Sequence, residues 1–143
     1  MSDAPDTVTL HATCVALEGR ALLIRGASGS GKSALALQMI ALGAGLIADD
    51  RTCLRRVGDK VIASAPDAIR GQIEARGIGI LSAPAAAPAP LVAVVAMDRR
   101  ATRRLPKEQR ADILGVSLPD IGMIDAPHFP AALCLYLRSG RIA

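Results

Sequence analysis

The run Gly26-Ala27-Ser28-Gly29-Ser30-Gly31-Lys32-Ser33 constrains this chain more than any other feature, because it fills G-x-x-x-x-G-K-[ST] at every fixed position. With 13 Gly and 3 Lys in 143 residues, a chance match anywhere has a probability of about 0.002, so the run reads as a phosphate-binding loop and not as a Gly/Ser turn. The mechanism of such a loop demands an apolar strand before it and a helix after it. Glycines let backbone N–H groups converge on phosphate oxygens, and the helix N-terminus adds the positive end of its dipole. The sequence supplies both flanks. Arg20 to Arg25 (RALLIR) is a short apolar run, and Ser33 to Leu42 (SALALQMIAL) is built from strong helix formers, with Gly43 and Gly45 as stop signals. Lys32 would then reach the β- and γ-phosphates of a nucleotide, and the Ser33 hydroxyl would bind Mg²⁺.

The rest of the chain reads as strands with two further helices. Thr7 to Ala16 is expected as one strand, Leu46 to Ala48 as a short one, and Arg51 to Val57 with Lys60 to Ala65 as a hairpin around Gly58-Asp59. Ser82 to Pro90 is a Pro/Ala loop, and Leu91 to Met97 (LVAVVAM) has the continuous apolar character of a central strand covered on both faces. Pro106 to Leu114 is expected as a helix ending at Gly115, Leu118 to Ile124 as extended chain, and Pro130 to Arg138 as a closing helix. Arg99, Arg103, Lys107 and Arg110 are spaced to fall near one helical face, as a basic stripe or simply a solvated one. The fold class is therefore α/β with a mixed, partly antiparallel sheet in a single domain over residues 1–143.

Composition trims the functional classes. Hydrophobic residues make up 51% and charged ones 21%, which suits a packed chain and not a disordered one. Tyr136 and Phe129 are the only aromatics, so base-stacking recognition of nucleic acid has almost nothing to use. The net charge of +4 suits phosphate-bearing ligands or a solvated surface alike. Cys14, Cys53 and Cys134 are widely spaced with no CxxC pair, which points to reduced thiols instead of a disulfide framework or zinc site. Met1 to Asp6 lacks a basic, apolar leader, and the longest apolar stretch is cut by prolines, so a cytoplasmic protein without a membrane span is expected.

What receives the phosphate must be read elsewhere. The chain has no N/T-K-x-D base-reading element, and Asp112-Ile113-Leu114-Gly115 matches D-x-x-G only at an expected helix end, which disfavours a switch GTPase. Leu46-Ile47-Ala48-Asp49-Asp50 puts two carboxylates at the end of the strand directly after the phosphate-loop helix. One would hold metal and the other accept the proton of an attacking hydroxyl, the two tasks of phosphoryl transfer, in an order the residues leave open.

Taken together, His11, GASGSGKS at 26–33, LIADD at 46–50, Glu74-Ala75-Arg76-Gly77-Ile78-Gly79-Ile80 and Ile113-Leu114-Gly115-Val116 resemble the C-terminal catalytic domain of bacterial HPr kinase/phosphorylase over nearly the whole chain. The resemblance implies a phosphate-loop kinase fold of the HPr kinase/phosphoenolpyruvate carboxykinase-like type, with ATP and Mg²⁺ as cofactors. Its partner would be an HPr-like phosphocarrier protein phosphorylated on serine. It further implies nucleotide on Gly26 to Ser33, metal on Ser33, Glu74 and Asp49, and Asp50 as base. His11, Lys32 and Arg104 would be further active-site groups, and the assembly would be a hexamer. Members of the family carry an N-terminal domain that this sequence does not show, as in a short form. Asp125-Ala126-Pro127-His128-Phe129-Pro130 stands where the family has a basic K-P-G-R-N-like segment, so weak or absent phosphorylase activity is expected. A small-metabolite kinase and an ATP-sensing module are the alternative readings.

Overall fold

A computed structural model describes residues 6–143; residues 1–5, most of the stretch read above as lacking a leader, lie outside it. The elements run β1 (Thr7–Leu10), β2 (Thr13–Leu17), β3 (Arg20–Arg25), α1 (Lys32–Ala41), β4 (Gly45–Ala48), β5 (Thr52–Val57), β6 (Lys60–Ser64), β7 (Gln72–Ala75) and β8 (Gly79–Ser82). They continue with β9 (Ala89–Arg100), β10 (Gln109–Ile113), β11 (Val116–Met123) and α2 (Phe129–Ser139). β7 and β8 form their own hairpin, and the other nine strands make one sheet in the order β1-β5-β6-β9-β3-β2-β4, with β11 on β9 and β10 on β11.

β9 is the middle of this sheet. It runs parallel to β3 through Leu91 to Ala96 along one edge, while along the other it meets β6 at Ala89–Pro90 and then β11 from Val94 onward. Both faces are buried, which is why RALLIR and LVAVVAM are continuous apolar runs instead of alternating ones. Leu22, Ile24, Ala93 and Val95 face α1 and α2, packing on Leu35, Met39, Leu133 and Leu137. Leu23 and Val94 face the other way, onto Leu54 and Val61 of β5 and β6 and Ile113 and Leu118 of β10 and β11, because the sheet curls over itself. The mixed α/β sheet expected from sequence is therefore present, with β3, β9 and β11 parallel and the remaining pairings antiparallel. Among the described residues no helix is long and apolar enough to cross a membrane.

Two expectations are corrected. The strand expected over Thr7 to Ala16 is broken at His11: β1 pairs with β5, whereas β2 pairs with β3 and β4, so the chain changes neighbours there. The helix expected over Pro106 to Leu114 is instead the strand β10. Ala111 and Ile113 turn inward while Arg110 and Asp112 stay exposed, a period of two that a helix cannot satisfy. Leu114 at φ 53° and Gly115 at φ 84° then form a two-residue turn into β11, and the Asp112 carboxylate accepts the Gly115 N–H at 2.9 Å. Gly115 thus closes a hairpin and does not stop a helix. The basic stripe dissolves with the helix: Arg99 lies in β9, Arg110 in β10, and Arg103 and Lys107 on the loop between.

Candidate phosphate-transfer site

The phosphate loop joins the C-terminal end of β3 to α1. The first turn of α1 carries no acidic residue and no side-chain cap, so its N–H groups are left for an anion. A Cβ at Gly26 would come within 2.5 Å of Ser30 Oγ and 2.9 Å of Met97 Cβ; only glycine lets the loop lie this close on the end of β9. Lys32 is buried to 8% exposure and donates to the carbonyl oxygens of Gly26 at 2.8 Å and Ala27 at 3.1 Å. Ser30 Oγ is buried without a partner among the described residues.

Topology brings the aspartates to the loop. β4 is separated from β3 by β2 and is antiparallel to it, so β3 and β4 run the same way and end at the same edge of the sheet. Asp49 follows β4 there, and its carboxylate is fully engaged: Oδ1 accepts Ser33 Oγ at 2.6 Å and Thr13 Oγ1 at 3.1 Å, and Oδ2 accepts the Glu74 N–H at 2.9 Å. Asp50 is exposed, at φ 66°, with its N–H donating to Thr13 Oγ1 at 3.2 Å. Aspartate is among the few residues that enter this left-handed region, and Asp50 lines the cleft beside the phosphate loop. No described hydrogen bond or ion pair occupies the Asp50 carboxylate.

A cleft of about 490 Å³ opens between these parts. Ser28, Gly29, Gly31, Lys32 and Ser33 form one wall, and Asp50, Glu74, Arg76 and Ile78 the other. A broader hollow of about 680 Å³ between Arg70 and Ala85, on β7, β8 and the following loop, holds none of the candidate residues. For Mg²⁺, the Ser33 hydroxyl paired with Asp49 and the Glu74 side chain in the cleft are oxygen donors of the right hardness. No group of three His, Cys, Asp or Glu converges among the described residues. The chain would thus supply part of a magnesium shell, leaving the remainder to phosphate and water as that ion prefers.

The structure therefore brings together Lys32, Ser33, Asp49, Asp50 and Glu74 around the loop. His11, exposed at the break between β1 and β2, and Arg104, exposed on the loop after β9, are not among the residues lining the cleft. Two residues escaped the sequence reading. Thr13 organises the aspartate turn from a fully buried position in β2, and nothing in TVTLHATCVA marks it. Asp98 accepts the Ala27 N–H, and here a signal was present: a continuous apolar strand ending in a carboxylate.

Comparison with known proteins places the chain in a family. The model of the HPr Serine kinase C-terminal domain matches residues 3–86. A protein named HPr kinase/phosphorylase from Caldanaerobacter subterraneus subsp. tengcongensis is 47% identical over 75 residues, which is 52% of this chain and 25% of the relative. The protein of the same name from Clostridium tetani is 42% identical over 81 residues, 57% of this chain and 26% of the relative. The chain thus spans about a quarter of the length of the curated relatives it matches. A solved structure titled as the Hpr(Ser) kinase/phosphatase from Coxiella burnetii superposes with a TM-score of 0.77 over 92% of this chain and 94% of that one, at 24% identity; this likeness concerns the fold. With a family match across more than half its length, the chain belongs to the HPr serine kinase C-terminal domain family.

Proposed function

We propose that the protein is an ATP-dependent kinase that phosphorylates a serine hydroxyl of an HPr-like phosphocarrier protein, with residues 1–143 acting as one catalytic domain. The observation that carries this reading is the division of labour between the two aspartates: Asp49 is spent on Ser33, Thr13 and the Glu74 amide, while Asp50 stands unengaged in the cleft. A module that only sensed nucleotide would need no free base at that place.

In this reading the loop amides and the start of α1 hold the phosphates, and Lys32 leaves its two carbonyls to follow the charge of the γ-phosphoryl group. Ser33, with Asp49 and Glu74 beside it, would hold Mg²⁺, which would supply neutralisation of phosphate charge there. Asp50 takes the proton of the serine hydroxyl as its oxygen forms the new bond to the γ-phosphorus; the bond from that phosphorus to the bridging oxygen breaks, and ADP leaves. His11 and Arg104 act from outside the cleft walls, on the acceptor protein or across an oligomeric contact, and we extend the proposal to a homo-oligomer, with a hexamer as the expected mass by light scattering.

Reverse phosphorolysis is weak in this proposal. Around Asp125 the basic segment of the family is replaced, and Asp125 itself lies 3.9 Å from Arg100 in an exposed ion pair. The decisive experiment incubates the protein with γ-labelled ATP, Mg²⁺ and HPr from the same cell, beside HPr whose acceptor serine is alanine. Label on the first alone is expected. No label on either, with ATP still bound, refutes the protein-kinase reading and moves the search to small alcohols. Strong phosphate-dependent release of pyrophosphate from seryl-phosphorylated HPr refutes the claim of weak phosphorolysis.

A further inference from the structure

The phosphate loop rests on the C-terminal end of β9. Met97 lies under two of its glycines: a Cβ on Gly26 would be 2.9 Å from Met97 Cβ, and one on Gly31 would be 3.5 Å from its terminal methyl. The next residue, Asp98, turns its carboxylate to the loop and accepts the Ala27 N–H with both oxygens, at 3.1 and 3.3 Å. Asp98 is exposed, and among the described residues no Lys or Arg pairs with it. An exposed carboxylate without a cation normally turns to water. This one instead holds a backbone N–H of a loop whose N–H groups are needed by phosphate.

The peptide it holds is also the perch of the lysine. A trans peptide is planar with its N–H and C=O pointing in opposite directions. The unit joining Gly26 to Ala27 presents its N–H to Asp98, and its carbonyl oxygen, that of Gly26, accepts Lys32 Nζ at 2.8 Å. Carboxylate, peptide dipole and ammonium thus stand in series, each end of the peptide facing the charge it favours. The next carbonyl, that of Ala27, accepts Lys32 Nζ at 3.1 Å and the Ser30 N–H at 3.0 Å, so fixing this one peptide sets the first turn of the loop as well.

We propose that Asp98 is a positioning residue that sets Lys32 and the phosphate loop through the single peptide between Gly26 and Ala27. The proposal rests on the nucleotide-binding part of the function above. It acts by preventing that peptide from rotating: reversed, its carbonyl would face the Asp98 carboxylate and Lys32 would lose its seat.

The test uses the full chain. Calorimetric titration with Mg·ATP compares the parent with Asp98→Ala, with Asp98→Ser as a second truncation, and with Asp98→Asn, whose side-chain oxygen can still accept the amide. Both truncations are expected to weaken binding about three- to tenfold, the scale of one lost hydrogen bond to a charged group at an exposed position, and to speed hydrogen exchange at the Ala27 amide. Asp98→Asn should stay within about twofold of the parent and keep that amide protected, since its oxygen makes the same bond. Unfolding midpoints check that the variants fold, which an exposed site permits. Equal loss in Asn and Ala would show that the charge and not the amide bond matters, and overturns the proposal; so does parent-like binding in both truncations. Absence of Mg·ATP binding in the parent itself would instead remove the nucleotide reading, and with it this one.

Discussion

Replacing Asp49 by alanine tests whether the aspartate turn is held by its hydrogen bonds or by its charge. The substitution deletes an acceptor shared by Ser33 Oγ at 2.6 Å, Thr13 Oγ1 at 3.1 Å and the Glu74 N–H at 2.9 Å. Ser33 and Glu74 have access to water and recover part of the loss. Thr13 is 0% exposed, so its hydroxyl proton is stranded. Bonds to a charged acceptor contribute about 1.5–3 kcal/mol each when buried, and with two of the three partners near solvent the total is ~3 kcal/mol. For a chain of this size that lowers the unfolding midpoint by roughly 10 °C. Asparagine should behave differently: with its oxygen in the place of Oδ1 it still accepts both hydroxyls, and only the Glu74 N–H, which can turn to water, loses its partner. Asp49→Asn is therefore expected to melt within about 3 °C of the parent, yet to transfer phosphate poorly, because a neutral group no longer supports the metal. Scanning calorimetry and labelled-ATP transfer on both variants decide it. A parent-like midpoint for alanine, or equal losses for alanine and asparagine, would refute the three-bond account.

Asp50→Asn should leave Mg·ATP binding intact and cut transfer by about 10²- to 10⁴-fold, read in a transfer assay beside a titration; equal loss of binding would remove Asp50 from the role of base. Gly26→Ala, whose new methyl would meet Ser30 Oγ at 2.5 Å and Met97 Cβ at 2.9 Å, should weaken nucleotide binding more than about tenfold and destabilise by about 1–3 kcal/mol, measured by titration and melting. Burial pushes the Cys14 thiol far above the ordinary range. Its folded form stays protonated while the unfolded thiol ionises, so the native state binds the extra proton and stability falls as pH rises above about 8.5, by up to ~1.4 kcal/mol per pH unit. Cys14→Ala should flatten that decline in melts between pH 8 and 10, and Cys14 should resist alkylation until the chain unfolds.

What the sequence made legible was local. The phosphate loop, its strand and helix, the β5–β6 hairpin and the short strand ending in Asp49-Asp50 each announce themselves within a few residues, through spacing, apolar runs and Gly-Asp punctuation. β10 did not, because QRADI between a proline and a glycine fits one turn of helix as well as a short strand, and its Leu114-Gly115 turn lacks the usual Asn-Gly signal. The break at His11 was hidden for the same reason: alternation continues across it, and only the change of pairing partner shows it. Thr13 and Asp98 act on residues 36 and 71 positions away in the chain, and no window of sequence contains both ends of such a contact. The roles of His11 and Arg104 came from resemblance alone, and neither lines the cleft.

β9 occupies the centre of the sheet although it arrives late in the chain. Every residue of the nucleotide signature, from Gly26 to Glu74, leaves the ribosome before Ala89 does. Until then β3 has only β2 beside it, the loop has no Met97 beneath it, and β6 and β3 have no strand to join them. The nascent protein thus carries a complete phosphate-binding motif on an incomplete scaffold, with apolar strand edges open to chaperones or to neighbouring chains. Pairing β3 with β9 must close a loop of some sixty residues, a slow step by its entropy, and it both completes the core and seats the phosphate loop.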